Sequence, residues 1–145
     1  MKIRRINSEN APVPTTGYSQ SLEVQGHTRT LYISGQTPVD QSGNVPDGFT
    51  AQCRLAWKNV EAQLEAAQMS LENIVKHTTF LADRRYTMEN RSVRNELFGE
   101  LEPALTVIIA GIFDEEWLVE IEAIAVAYSR RHDGRQDLES DMTGS

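Results

Sequence analysis

The stretch LVEIEAIAVAY at residues 118–128 decides the fold of this chain. Side chains of a β-strand point alternately to opposite faces, so every second residue shares a face. One face carries Leu118, Glu120, Glu122, Ile124 and Val126, and the other carries Val119, Ile121, Ala123, Ala125 and Ala127. Because both faces are largely apolar, the pattern predicts a strand that lies inside a sheet or is covered on both sides.

Glu120 and Glu122 are the unusual residues of this strand. Their spacing places the two carboxylates about 7 Å apart on one largely apolar face. One interpretation is a functional carboxylate that holds a reactive water or transfers a proton. The other is structural, with both glutamates at a margin of the sheet or paired with arginine or lysine. The pattern alone leaves both interpretations open.

Further strands are predicted on both sides of the chain's midpoint. Residues 19–24 and 29–34 alternate in character around the sequence QGHT, which predicts a β-hairpin. Residues 75–81 and 105–110 are rich in β-branched side chains, which predicts two more strands. The acidic bend at residues 114–116 is expected to join the run at 105–110 to the last strand as a second hairpin.

Two amphipathic helices are predicted between these strands. From residue 49 to residue 69, apolar residues recur at steps of three and four, as on one face of a long helix. Residues 87–100 show the same spacing through Val93, Leu97 and Phe98, with Arg91 and Arg94 pointing elsewhere. The predicted order is ββαβαββ, an α+β fold with two helices on one face of a mixed sheet.

The composition is typical of one globular domain. The chain has 145 residues, 39% of them hydrophobic, and a formal net charge of -7. We predict a domain over residues 1–128 and a polar tail over residues 129–145. No apolar run of about 18 residues and no basic, apolar leader occurs, so neither membrane insertion nor secretion is expected. The negative charge, without a basic patch, argues against nucleic acid as a partner.

Cys53 and His77 are expected to be structural. A single cysteine cannot form an intramolecular disulfide, and with three scattered histidines it makes no metal set, so we expect no metal and a reducing cytoplasm. Cys53 lies on the apolar face of the first helix and is predicted to be a core residue. His77 falls on the inward-facing side of the predicted strand at residues 75–81. It is expected to be packed and hydrogen-bonded rather than a general base.

Segments spread over residues 11–127 strongly resemble the RidA (YjgF/YER057c/UK114) family. These segments occur in the family's order and spacing. They are residues 17–20 (GYSQ), 34–38 (SGQTP), 64–67 (LEAA), 74–81 (IVKHTTFL) and 119–126 (VEIEAIAV), with Gln52 and Asn59 on the first helix. The resemblance implies a chorismate-mutase-like fold assembled as a homotrimer, with ligand clefts between adjacent subunits. It also implies hydrolysis of reactive enamines and imines to a ketone and ammonia without metal or organic cofactor. Other members of the family are described only as binding proteins, or as translation inhibitors and ribonucleases.

The resemblance assigns site residues position by position. Tyr18 matches the family's cleft tyrosine, Ser34 and Gly35 match a segment that lines the cleft, and Glu120 matches the glutamate thought to position the hydrolytic water. The family arginine that grips the substrate carboxylate follows Pro-Ala, but here Leu105 stands in its place, followed by Thr106. Leucine has no donor for a carboxylate.

Arg91 is the second departure from the family pattern. It stands near a position on the second helix where many members carry an asparagine, and it could supply a relocated cation. An arginine on a helix is, however, usually a solvated surface group.

Three functions are therefore considered. The first is a RidA-like hydrolase or deaminase for an imine, enamine or related small metabolite that lacks, or presents differently, the carboxylate of the usual 2-imino acids. The alternative is a non-catalytic cleft that binds a small molecule, which Leu105 favours. RNA cleavage has the least support, because the chain is acidic and has no stripe of aromatic and basic residues.

Overall fold

The computed structural model describes residues 1–15 and 17–129. In chain order the strands are β1 (Lys2–Ile6), β2 (Ser21–Gln25), β3 (Arg29–Gln36), β4 (Ile74–Leu81), β5 (Ala104–Ile109) and β6 (Val119–Ala127), and the helices are α1 (Phe49–Ala66) and α2 (Thr87–Phe98). Short 3₁₀ turns at Leu71–Asn73 and Arg84–Tyr86 precede β4 and α2. The two helices and the strands that flank them thus lie where the periodicity predicted, to within a few residues at each end.

Strand β6 lies in the interior of a four-stranded sheet with the order β3-β6-β4-β5. It is antiparallel to both of its neighbours, whereas β5 runs parallel to β4. The prediction that residues 118–128 form a central strand of a mixed sheet is confirmed.

Both predicted hairpins are wrong. Strand β2 pairs with β1, and β3 pairs with β6 instead of β2. Strand β1 was missed because its sequence, KIRRI, has no clean alternation and is almost entirely exposed. Strands β5 and β6 are separated by β4, because α2 crosses over from β4 and returns the chain parallel to it. Strand β6 then takes the interior position that its two apolar faces favour.

The helices cover one face of the four-stranded sheet, as predicted. Trp57, Val60 and Leu64 of α1 are at most 1% exposed, and they belong to one core with Val119 and Ile121 of β6. The inward face of β6 is therefore the apolar wall against which the helices pack.

The opposite face of the sheet is open among residues 1–15 and 17–129. Tyr32 on β3 is 76% exposed, although it pairs with Ile124 in the middle of the sheet. Glu122, two residues before Ile124 on the same face of β6, is also exposed. A broad, partly apolar face of this kind marks a surface for association.

The proposed tail at residues 129–145 lies, apart from Ser129, outside the described residues. Within the described part of the chain, neither helix has the length and apolar character needed to cross a membrane.

Candidate functional site

A cleft of about 380 Å³ between α2 and β5 brings together four of the predicted site residues, Tyr18, Arg91, Leu105 and Thr106. We call it the α2–β5 cleft. Leu105 lies beside His77 of β4 in the parallel register, and Thr106 lies beside Thr78. Since successive residues of a strand face opposite sides, Leu105 is on the helix side of β5 and Thr106 is on the open face.

Tyr18 reaches this cleft because its neighbour is tied to the start of β5. The Ser19 backbone N–H donates to the Pro103 carbonyl at 3.2 Å, and the Ser19 hydroxyl donates to the Glu102 carbonyl at 2.7 Å. Ser19 is 1% exposed, so these bonds are shielded from water. Tyr18, far away in sequence, is thereby held in one cleft with Leu105.

Arg94 was expected to point away from the packed face of the second helix, and that expectation is wrong. It lines the cleft with Arg91 but, unlike Arg91, it is only 7% exposed. Burial most of all, and then the charge of Arg91, lower the pKa of its guanidinium, while Tyr18 acts in the opposite direction. Arg94 lies four residues after Asn90, which is also buried, so both side chains are on one side of α2. No sequence signal identified it, because the burial of Asn90 is known only from the structure.

Glu120 and Gly35 lie together in a second cleft, of about 500 Å³, with Phe80 and the exposed Phe113. Strand β3 has a register shift between Ile33 and Gln36 where it pairs with β6. The extra residue at this bulge brings Gly35 against the Glu120 side chain: a Cβ on Gly35 would lie 2.9 Å from Cδ of Glu120. Glu120 itself is half-buried.

Ser34 is placed elsewhere, in a hollow of about 270 Å³ on the open face of the sheet, with Tyr32, Lys76 and Glu122. Lys76 Nζ donates to Thr106 Oγ1 at 2.6 Å, which links this hollow to the α2–β5 cleft. Burial lowers the pKa of Lys76, and the charge of Glu122 raises it. Lys76 and Glu122 line the same hollow, but no ion pair joins them in the described part of the chain.

Cys53 and His77 are core residues, as predicted. Cys53 is fully buried, and burial raises the pKa of its thiol to about 12, so it is an inert hydrophobe. The His77 ring is stacked on Phe98 at 5.2 Å and meets the edge of Trp57 at 5.1 Å. The expected hydrogen bond is not found, since neither ring nitrogen has a partner in the described part of the chain.

No cluster of three or more histidine, cysteine, aspartate or glutamate side chains in residues 1–15 and 17–129 is arranged to hold a metal ion. Within one chain, the predicted site residues occupy three places: the α2–β5 cleft, the cleft at Glu120 and the hollow at Ser34.

Comparison with known proteins identifies the family. A family model described as endoribonuclease L-PSP matches residues 8–127. A RutC family protein of Pyrococcus horikoshii is 37% identical over 122 residues, which cover 83% of this chain and 94% of that protein. The chain belongs to the RidA (YjgF/YER057c/UK114) family. Among its relatives, the mouse protein named 2-iminobutanoate/2-iminopropanoate deaminase is 37% identical over 128 residues, covering 83% of this chain and 89% of the mouse protein.

Solved structures of the RidA family share the fold. RidA from an Antarctic Psychrobacter superimposes with a TM-score of 0.64 at 31% identity, covering 85% of this chain and 98% of that one. A Rid family protein from Yersinia pestis, YyfB, superimposes with a TM-score of 0.73 at 25% identity, covering 87% and 99%. The predicted family and fold class are both confirmed.

Proposed function

We propose that this RidA family member hydrolyses a reactive imine, enamine or related small metabolite to the carbonyl compound and ammonia, without metal or organic cofactor. The observation that carries the proposal is the position of Glu120. This half-buried carboxylate lies across the side-chain-free Gly35 in a cleft large enough for a small molecule. The mouse relative that is named a deaminase supports the same reaction type.

The reaction needs little more than a positioned base. With the imine protonated on nitrogen, the Glu120 carboxylate accepts a proton from a water molecule as the water oxygen bonds to the carbon and the C=N π electrons move to nitrogen, which yields a neutral carbinolamine. Glu120 then returns this proton to the nitrogen. As the C–N bond breaks and the carbonyl forms, the departing ammonia takes up the hydroxyl proton and leaves as ammonium. The glutamate ends the cycle as it began, so no oxidant or reductant is required.

The complete site is proposed to form in a homotrimer. The predicted site residues line three neighbouring cavities within one chain, and the sheet face that carries Ser34 and Tyr32 is open. Burying that face against a neighbouring subunit gives the apolar surface a partner and brings site residues of two chains to one boundary.

The substrate is proposed to differ from the usual 2-imino acids. Leu105 stands where the family arginine binds the carboxylate, and a leucine wall offers a carboxylate no donor while removing water from it. An imine without a carboxylate on the reacting carbon, or with one placed elsewhere, fits this wall better.

A non-catalytic cleft for a small molecule is the second candidate, and Leu105 is the observation that favours it. An endoribonuclease activity has less support, because a net charge of -7 repels a polyanion.

A trapping assay tests the proposal. An oxidase generates each imine in the presence of semicarbazide, which captures what is not hydrolysed first. The proposal expects the protein to reduce the captured amount for at least one imine of the panel, but not for 2-iminobutanoate. Unchanged capture for every imine, together with saturable ligand binding, would favour the non-catalytic candidate.

A further inference from the structure

Arg94 is a buried cation that has no anionic partner among the described residues. It is 7% exposed, and its Nε has no hydrogen-bond acceptor among the described residues. The ion pairs within residues 1–15 and 17–129 join Arg4 to Glu23, Arg5 to Glu102 and Arg54 to Glu96, so none of them includes Arg94. A buried charge without a partner is costly, because it has lost water and gained nothing in return.

The surroundings of Arg94 increase this cost. Arg91 lies one turn earlier on α2, at the i, i+3 spacing that makes two side chains neighbours on a helix. The backbone of Gly17, which has a φ of 75°, covers the guanidinium, and a Cβ there would lie 3.5 Å from Nη2 and 3.7 Å from Nε of Arg94. Two like charges are thereby held on one side of the helix, and that of Arg94 is largely buried while still lining the cleft.

The described lining of the α2–β5 cleft supplies no counter-charge. Of the described residues that line it, two are arginines and none is acidic. Tyr18, Asn90 and Thr106 add hydroxyl and amide groups, whereas Leu105 and Val107 form an apolar wall. The acidic bend at residues 114–116 does not contribute to this lining. A local positive site on a chain of net charge -7 concentrates anions where the rest of the surface repels them.

We infer that Arg94 and Arg91 form a carboxylate-binding subsite on α2, and that the rest of the ligand is an apolar chain lying against Leu105 and Val107. A guanidinium offers parallel donors that match the two oxygens of a carboxylate. The carboxylate then binds the two arginines of α2, while Leu105 contacts the apolar chain of the ligand. The existence of this subsite does not depend on the proposed function, but its role in the reaction does. For that reaction, it specifies that the substrate is a small amphiphilic carboxylate whose acid group lies away from the reacting carbon.

Calorimetry with two simple probes tests the subsite on the wild-type protein. Hexanoate carries the carboxylate and an apolar chain, and hexanamide has the same chain without the charge. We expect hexanoate to bind at least tenfold more tightly than hexanamide, and the difference to shrink as salt is added. Equal affinity of the two probes would overturn the inference, and so would tighter binding of inorganic phosphate than of hexanoate.

Three variants locate the binding. Arg94→Met keeps the length of the side chain and removes its charge, so we expect hexanoate affinity to fall at least tenfold. Arg91→Gln should lower it severalfold. Arg54→Gln is the matched control, because Arg54 is an exposed arginine on α1 that pairs with Glu96 and does not line the cleft, and it should bind as wild type.

Folding is checked by thermal melting of each variant. If Arg94→Met does not fold, the exposed Arg91→Gln decides: unchanged hexanoate affinity in that variant would overturn the inference. The trapping assay separates this inference from the proposed function. If Arg94→Met turns over substrate with an unchanged KM, the subsite is refuted and the hydrolase proposal stands. If hexanoate binding depends on Arg94 but no turnover is found, the hydrolase proposal is refuted and the subsite stands.

Discussion

Gly35 and Glu120 lie so close together that a Cβ on residue 35 would be 2.9 Å from Cδ of Glu120. The Glu120 side chain can therefore lie across strand β3 only because residue 35 has no side chain of its own. The bulge in β3 that creates this contact is set by pairing between two strands far apart in sequence. The orientation of the candidate base is thus built into the sheet.

Replacing Gly35 by alanine tests that relationship. Because the atoms in the way belong to the end of a flexible side chain, we expect Gly35→Ala to displace Glu120 rather than to unfold the protein. Turnover should fall while the melting temperature changes by only a few degrees. In the double variant Gly35→Ala/Glu120→Gln, turnover should be no lower than in Glu120→Gln alone, since both changes remove one function. Losses that multiply would show that Gly35 acts independently of Glu120.

Glu120→Gln keeps the shape and hydrogen-bonding capacity of the side chain but removes its ability to accept a proton. If the chain is a hydrolase, we expect turnover to fall by roughly 10² to 10⁴, the usual effect of losing a general base, with ligand binding nearly unchanged. Glu65→Gln on the exposed side of α1 is the control and should keep full turnover. If the chain only binds its ligand, the Glu120 variant should show a modest change in affinity.

The assembly is predicted to be a homotrimer, with the open face of the sheet buried between subunits. Light scattering at micromolar concentration should return the mass of three chains. Tyr32→Glu places a charge on the face that carries the exposed Tyr32, so we expect it to weaken assembly and, with it, ligand binding. A stable wild-type monomer would contradict the prediction, and so would full ligand binding by a monomeric Tyr32→Glu variant.

The central strand could be predicted from the sequence because two largely apolar faces favour an interior position in a sheet. The hairpins could not, because neighbours in sequence are not always neighbours in a sheet, and the crossover through α2 separates β5 from β6. Arg94 was missed for a related reason. Helical periodicity is recognised from the spacing of apolar residues. A charged residue is therefore expected to be exposed, even where it lies on the buried side of the helix, until its surroundings are known.

Position 105 is predicted to decide where a carboxylate binds. Leu105→Arg places a guanidinium on β5, at the position that the family resemblance assigns to an arginine, so we expect affinity for 2-oxobutanoate to rise at least tenfold and slow hydrolysis of 2-iminobutanoate to appear. Leu105→Met is the control, because it changes the shape of the wall without adding a donor. An unchanged affinity in a Leu105→Arg variant that still assembles would mean that other residues of the cleft also exclude this carboxylate.

His77 is predicted to make stability depend on pH. Burial, followed by the charges of Arg94 and Lys76, lowers the pKa of His77 to about 3. In the unfolded chain the same ring takes up a proton near its ordinary pKa of about 6.5. Between these values the unfolded state binds one more proton than the folded state. Stability should therefore fall as the pH drops below about 6.5, by up to about 1.4 kcal/mol per pH unit from this group, and the loss should level off near pH 3.

Urea unfolding at a series of pH values measures this contribution. His77→Leu fills most of the same space between Trp57 and Phe98 but cannot take up a proton. The variant loses ring contacts and is expected to be less stable at neutral pH. Its free energy of unfolding should nevertheless decrease less steeply than that of the wild type between pH 6.5 and 4, at the same protein concentration. Other titrating groups contribute equally to both proteins, so the difference between the two slopes reports His77 alone. Parallel pH profiles would contradict the prediction, because they would mean that the folded and unfolded states take up the His77 proton at the same pH.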